Sequence, residues 1–384
     1  MRILIVCPSY PPREGTCGVG DYTRCLADEL ARQGEAVTVV TAAGYTGERE
    51  GGVRVLPILD AHAGRGAWWR LGSPDVVNIQ YTPDLYRGRG GVRLVPLVAR
   101  LARNGPSTVV AFHTLVDGSL SAWIGVPWLL ATASHCISTN EEVSAMIRRR
   151  LPFLAGRVTE IPIGSNIAIA RGPGSDGRAE WARLGLPADS TILVHFGLVY
   201  PGKGLETLFA ALADLRRGRP EVRLLIVGDT RRDDREYRAG LDALAARLGI
   251  AAAITWTGRR PEDEVSRLIQ AADVFVVPYD EGATIRRGSL MAGIAHGLPI
   301  VSTRAALRSA YLRDGENVSL VPPRDPGTLG ARLATLLGSP DEAARLRRGA
   351  RELAARFAWP RIAGETRRLF ARVRARRQAA GRTE

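Results

Sequence analysis

Two doubly wound α/β domains are what this 384-residue chain predicts. Three observations carry that expectation. The length exceeds what one hydrophobic core usually supports. Short apolar runs alternate with helical patterns in two successive series of similar size. Between the series, residues 168–178 (A-I-A-R-G-P-G-S-D-G-R) carry little apolar periodicity and read as a surface linker. The expected layout is a first domain over 1–168, a linker over 169–188, a second domain over 189–358, and a helical segment with a basic tail over 359–384. Two such halves are expected to face a deep cleft, where ligands bind.

The first series opens with R-I-L-I-V-C at 2–7, an apolar run typical of a buried parallel strand. A helix over 19–33 is stopped by Gly34, and A-V-T-V-V-T at 36–41 is the next strand. Strands follow at 53–57, 76–80, 108–112 and 136–138, then a helix over 140–151 and a strand at 158–162. After a short helix at 179–184, the second series runs strand 191–196, helix 205–217, strand 222–227, helix 237–248, strand 254–257, helix 265–271 and strand 274–278. A helix ending near residue 295 and a strand at 299–302 close it. The tail over 341–377 is helical, broken at Trp359 and Pro360.

Composition narrows the class. An apolar fraction of 45% with 24% charged residues describes a folded chain rather than a disordered one. The formal charge is +14, and of the 53 Lys and Arg side chains Lys203 is the only lysine. The arginines are dispersed, densest from Arg367 to Arg382, with no zinc-finger spacing and no aromatic-interleaved motif, so nucleic acid is not an expected partner. An anionic substrate or an anionic membrane surface accounts for the sign. Cys7, Cys17, Cys25 and Cys136 lack metal-ligand spacing and read as reduced thiols of a cytoplasmic protein. The N-terminal apolar run is too short for a signal peptide. The uncharged stretch 118–140 is interrupted by Pro127 and several hydroxyls, which favours a buried helix and a strand over a membrane span.

Two loops carry chemistry. Residues 195–204, H-F-G-L-V-Y-P-G-K-G, read as a strand end, a glycine turn and a helix start. Glycines such as Gly197 and Gly202 let backbone amides approach an anion, and Lys203 meets a phosphate as a point charge. The run is neither G-x-x-x-x-G-K-[ST] nor G-x-G-x-x-G, and an ordinary βα turn is the plain alternative. Residues 278–299 read P-Y-D-E-G-A-T-I-R-R-G-S-L-M-A-G-I-A-H-G-L-P. Here Glu281 can accept from sugar-like hydroxyls, Arg286 or Arg287 can pair with phosphate oxygens, and Gly288-Ser289 opens an apolar helix. A solvent-facing surface loop is the plain alternative. A dinucleotide fingerprint is excluded, since Gly15, Gly18 and Gly20 are wrongly spaced and no acid ends the second strand. His62, His113, His135, His195 and His296 are scattered, with no H-x-x-x-H or D-x-D, so no metal is expected.

With both loops placed, the chain resembles a nucleotide-sugar glycosyltransferase of the GT-B fold, in the large retaining family 4. P-P-R-E-G-T-C-G-V-G-D-Y at 11–22 is similar to the family's opening loop and first helix, and V-V-A-F-H-T at 109–114 to the strand that delivers a histidine. I-P-I-G-S-N at 161–166 resembles its I-P-N-G turn, Gly197 to Gly204 its donor loop, and A-A-D-V-F-V-V-P at 271–278 the approach to its glutamate region. G-L-P-I-V-S at 297–302 resembles the end of that region, and F-A-W-P-R-I-A at 357–363 the closing segment that returns to the first domain.

Two departures stand out. Leu198 occupies the position where the family commonly carries an arginine, and Ser289 stands where it carries a second glutamate, which leaves ribose recognition unassigned. Ser289 is a candidate substitute. One of Arg286 and Arg287 is expected to supply the diphosphate charge that Leu198 cannot.

What the resemblance implies is transfer of a sugar from a nucleoside diphosphate sugar to a hydroxyl acceptor (a glycan, a lipid-linked glycan or a small glycoside), with retention. No resident cofactor, metal or glycosidase-like carboxylate pair is then needed. Catalytic candidates are His113, Lys203, Glu281, Arg286 and Arg287. Gly18, Gly20, Gly197, Gly202, Gly258, Arg259, Gly288 and Ser289 are nucleotide-side candidates, and Asp21, Gln80, Tyr81 and Asp117 acceptor-side ones. His113 can meet a sugar hydroxyl or nearby backbone, His195 orients backbone, and His296 sits at a helix end. Trp68, Trp69, Trp123 and Trp128 can stack on a sugar, contact lipid or fill the core. A monomer or homodimer, with peripheral contact at the inner membrane face, is compatible with the sequence. A GT-B epimerase or phosphorylase and a non-catalytic sugar-binding partner stay open at this point.

Overall fold

The apolar run Ile3 to Val6 is wholly buried and forms β1 (Arg2–Val6), an interior strand of a seven-stranded parallel sheet. A parallel strand covered on both faces has no solvent side. Ile3 and Ile5 accordingly enter one core and Leu4 and Val6 the other. The computed structural model describes all residues except 12–16, 43–44, 46–51, 60–69, 87–88, 116–119, 172–176, 231 and 381–384. The chain divides into two units, Met1–Asn166 with Trp359–Glu384, and Ile167–Ala358.

In the first unit the sheet adds β2 (Ala36–Val40), β3 (Arg54–Leu56), β4 (Val76–Tyr81), β5 (Ser107–Phe112), β6 (His135–Ser138) and β7 (Val158–Glu160), in the order β3-β2-β1-β4-β5-β6-β7. Helices α1 (Gly18–Arg32), α2 (Val95–Leu101), α3 (Leu120–Thr132) and α4 (Glu141–Arg150) cover its faces. The chain leaves β1 on one side for β2 and on the other for β4. That reversal opens a crevice at the strand carboxyl ends, where ligands of such sheets bind.

The second unit repeats the plan. Its sheet holds β8 (Thr191–Phe196), β9 (Val222–Val227), β10 (Ile254–Trp256), β11 (Val274–Val277), β12 (Ile300–Thr303) and β13 (Ser319–Val321), in the order β10-β9-β8-β11-β12-β13, all parallel. Its helices are α5 (Gly177–Arg183), α6 (Leu205–Gly218), α7 (Arg235–Arg247), α8 (Glu262–Ala271), α9 (Gly288–Ala295), α10 (Pro326–Leu337) and α11 (Pro340–Arg356). The reversal here falls between β8 and β11, so the glycine loop and the 278–288 loop leave adjacent strands.

Three expectations need correction. The sheet does not close at 299–302, because β13 adds an edge strand too short to announce itself. α10 was not expected, since two glycines dilute its helical pattern; Asp325 caps it by accepting from Thr328 N at 2.9 Å. Part of the expected linker belongs to the second unit. Trp181 of α5 is 2% exposed there, and Glu180 accepts from both Arg183 and Arg267.

The last helix, α12 (Trp359–Ala380), belongs to the first unit. Ile362, Ala363, Leu369, Phe370 and Val373 enter the core that α1 lines. Trp359 Nε1 donates to Ser165 O at 2.6 Å. Pro360 sits in its first turn, where a missing N–H costs nothing.

Candidate active site

Strand β8 delivers the glycine loop, and α6 starts immediately after it. Gly204 is the N-cap residue, at φ +71°, and a β-carbon there would stand 1.8 Å from Pro278 O, so only glycine lets the loop close against the end of β11. Asp280 N donates to Gly202 O at 3.2 Å, tying the two loops together. Lys203 is 6% exposed, an unusual burial for an ammonium. Its Nζ lies 4.8 Å from the centroid of the Tyr200 ring and 5.3 Å from that of Tyr279. Such contacts suit a cation held out of bulk water.

Tyr279 organises the second loop. Its ring is buried, and Arg287 Cζ lies 4.7 Å from its centroid, so Arg287 and Lys203 share one ring. Its hydroxyl pairs with Ser289 Oγ at 2.6 Å and accepts from the amide of Leu290, while burial pushes the phenol up to about 12. Ser289 in turn lies over Gly197, its Oγ 3.5 Å from where a β-carbon of Gly197 would stand, with Lys203 Nζ 3.8 Å from the same point. Ser289 therefore lies beside the lysine.

Arg287 is the N-cap residue of α9, and its side chain is 11% exposed against 34% for Arg286. Both guanidinium groups donate to the same Glu281 Oε2, at 2.8 Å and 3.1 Å. Glu281 is 71% exposed, so water screens the pairs and an arriving anion can compete for the arginines. His195, at the end of β8, donates from Nδ1 to Val276 O at 2.9 Å and orients backbone as expected. Burial, and then the charge of Lys203, hold its imidazole down to about 3, so it is neutral at pH 7. Two cations on one ring, at the heads of α6 and α9, are a concentration of positive charge suited to a phosphate. Gly258, at φ +65°, and exposed Arg259 follow β10, off the β8–β11 reversal. His296 caps α9, with Nδ1 2.7 Å from Ala292 O and Nε2 2.8 Å from Ser266 Oγ.

The first unit builds a second set of groups around His113, just past β5. Asn78 Nδ2 donates to Val109 O at 3.0 Å, which turns Asn78 Oδ1 toward Gln80 Nε2. Gln80 Oε1 is then the acceptor facing His113 Nε2 at 2.8 Å. The relay makes Nε2 the protonated nitrogen and leaves the Nδ1 lone pair toward Thr139 Oγ1 at 3.4 Å. Burial lowers the ring to about 3, and Tyr22 packs edge-on at 4.7 Å. Asn140 Nδ2 holds His113 O at 2.9 Å while its Oδ1 caps α4.

Other expectations fare differently. Gln80 acts through His113. Tyr81 is fully buried, stacked on Tyr86 at 5.4 Å, so it is a core residue and not an exposed acceptor contact. Gly18 and Gly20 lie in the first turn of α1, not in a loop. A β-carbon on Gly20 would stand 2.0 Å from Ser9 O, so this glycine serves backbone packing. Asp21 Oδ2 accepts from Asn166 Nδ2 at 3.2 Å. Asp117, His62, Trp68 and Trp69 lie outside the described residues. The sequence reading missed Tyr200 and Tyr279. Their one signal is a tyrosine three residues before the lone lysine and another two residues past the end of β11.

Residues 17–164 match the family model for a glycosyl transferase 4-like domain, and residues 190–339 that for glycosyl transferases group 1. The chain carries both domains of a GT-B glycosyltransferase. Among its curated relatives, the D-inositol 3-phosphate glycosyltransferase of Streptomyces scabiei is 27% identical over 401 residues, covering 94% of this chain and 88% of that protein. D-inositol 3-phosphate glycosyltransferase 2 of Catenulispora acidiphila is 29% identical over 65% of this chain, and the enzyme of Acidothermus cellulolyticus 33% over 62%. In those two the match spans 58% and 52% of the relative's own length. The GT-B fold recurs in solved structures. Anabaena HepE, crystallised with UDP and glucose, gives a TM-score of 0.76 at 18% identity, covering 97% of this chain and 99% of that one. Sucrose-phosphate synthase from Thermosynechococcus elongatus gives 0.78 at 22%, with the same coverage.

Proposed function

We propose that this GT-B chain transfers a sugar, with retention of configuration, from a nucleoside diphosphate sugar to a hydroxyl acceptor. The observation that carries the reading is the buried Lys203 ammonium held between Tyr200 and Tyr279, with Arg287 on the other contact of Tyr279 and Ser289 alongside. As the bond from the anomeric carbon to the diphosphate oxygen breaks, negative charge grows on the leaving group. Lys203, Arg287 and the first amides of α6 and α9 are fixed donors for that charge, and fixed donors need no reorganisation in the transition state. The acceptor oxygen bonds to the same face of the anomeric carbon, and its proton passes to a departing diphosphate oxygen. Glu281, released from the arginines, accepts from donor-sugar hydroxyls. His113, neutral and held by Gln80 and Thr139, is the first unit's candidate for meeting a sugar hydroxyl.

The UDP and UDP-glucose complexes of HepE make uridine diphosphate sugars the first donors to test, and the relatives' names put inositol phosphate among the first acceptors. The test is nucleoside diphosphate release across a donor panel, with and without acceptors, and the anomeric configuration of the product by NMR. The expected result is acceptor-dependent release, an unchanged anomer, and loss of release in Lys203→Ala. Release independent of every acceptor would point to an epimerase and overturn the reading.

A further inference from the structure

On the helices that lead back from strand ends to strand starts in the first unit, the surface changes character. Helix α3 (L-S-A-W-I-G-V-P-W-L-L-A-T) carries no charge, yet Ile124 is 64% exposed and Trp128 38%. A helix without a polar face is normally buried. α3 packs against both α2 and the turn at Pro152–Arg157. These neighbours expose Leu94, Val98 and Leu101 on one side and Phe153 on the other, with Leu101 at 76% and Phe153 at 79%. Single exposed apolar residues are ordinary, but six on three adjoining elements are a patch.

The same elements carry positive charge only. Residues 85–116 hold five arginines and no acid, and α12 beyond Glu365 holds six arginines and no acid. Where α2, α3 and the 152–157 turn meet the end of α12, a pocket is lined by Arg100, Arg157, Arg376 and Arg377 with Thr132 and Ser134, and no carboxylate lines it. Arg377 also donates to Gly105 O at 2.6 Å and Ala99 O at 2.8 Å, which fixes α12 against the end of α2. The positive field reaches His135, which burial and then Arg372, Arg376 and Arg157 hold down to about 4.

We propose that this face docks on an anionic phospholipid surface, with Leu101, Phe153, Ile124 and Trp128 entering the interfacial layer and the arginine pocket receiving a lipid phosphate. Apolar tips rimmed by arginine stems fit that boundary, since guanidinium heads stay at the phosphate level while their stems cover apolar surface. A second copy of this face fits poorly, because two all-arginine rims repel. The basic tail thus acts as a packed helix beside apolar anchors. The inference stands apart from the sugar-transfer reading and can fail without it.

The test is co-sedimentation of the full chain with vesicles of phosphatidylcholine alone and of phosphatidylcholine with phosphatidylglycerol. Binding is expected only to the anionic vesicles and should weaken as salt is raised. Leu101→Asp and Phe153→Asp should each abolish most of it. Arg100→Gln and Arg376→Gln should each weaken it by about fivefold. Melting curves and nucleoside diphosphate binding should stay unchanged in all four, which separates this result from the donor site. Equal binding to neutral vesicles, no binding, or binding indifferent to Leu101→Asp overturns the proposal. So does a dimer that Leu101→Asp dissociates in a chain that ignores vesicles, which would assign the face to a second copy.

Discussion

Lys203 is the residue on which the donor site turns. A chain that writes nearly every basic position as arginine kept one ammonium where two tyrosine rings leave room for a compact cation, 3.8 Å from the β-carbon position of Gly197. A planar guanidinium on a longer stem would carry its charge past the point where the ammonium sits. Lys203→Ala is predicted to lower turnover by about 100- to 1,000-fold, and Lys203→Arg to recover little of it, both read as initial rates of nucleoside diphosphate release. Recovery to near the native rate by arginine would contradict the shape argument. Gly204→Ala tests the loop itself. The left-handed φ alone costs about 1–2 kcal/mol, and the clash with Pro278 O adds to it, so urea midpoints should fall by the equivalent of at least about 2 kcal/mol. The lysine was legible in the sequence because composition isolated it. Tyr279 was not, because its contact with Lys203 depends on β8 and β11 being neighbours in the sheet, which no local pattern encodes.

At the scale of elements, two helix heads converge because α6 follows β8 and α9 follows the loop after β11, and those strands are paired. The sequence left Arg286 and Arg287 equivalent. The structure separates them, since Arg287 caps α9, contacts Tyr279 and is the less exposed. Arg287→Ala should lower turnover by about 100-fold, whereas Arg286→Ala, which loses an exposed pair with Glu281, should change it less than about fivefold. Steady-state rates of both variants decide this, and equal losses would refute the assignment. The longer elements of both sheets were legible from apolar runs and glycine stops. The short helix α5 was expected at 179–184, but β13 and α10 were not legible, because a three-residue strand is too short for periodicity to speak and glycine dilutes the helix. The place of α10 comes from packing: a β-carbon on Gly330 would stand 3.3 Å from Ala211 O of α6, so the glycine lets the two helices approach closely.

At the scale of the whole molecule, buried neutral histidines link stability to acid. His195 and His113 sit at about 3 in the folded chain against an ordinary 6.5. Above pH 6.5 both states are neutral at these sites and neither histidine contributes a pH dependence. Between 6.5 and about 3 the unfolded chain binds protons that the folded one refuses, so stability falls as pH falls, by about 1.4 kcal/mol per unit for each histidine. Urea midpoints between pH 7 and pH 5 should show that slope, and His195→Asn, which keeps a donor for Val276 O, should flatten it. A slope unchanged in that variant would mean His195 titrates normally. The account as a whole rests on an anion meeting the two cations at the carboxyl ends of β8 and β11. A crystal structure of the chain with a bound nucleoside diphosphate tests that most directly. Lys203 Nζ is predicted to lie about 3 Å from a diphosphate oxygen, with Arg287 turned from Glu281 to the same group; a diphosphate bound elsewhere, with Lys203 still enclosed by its two rings and touching none of it, would contradict the account.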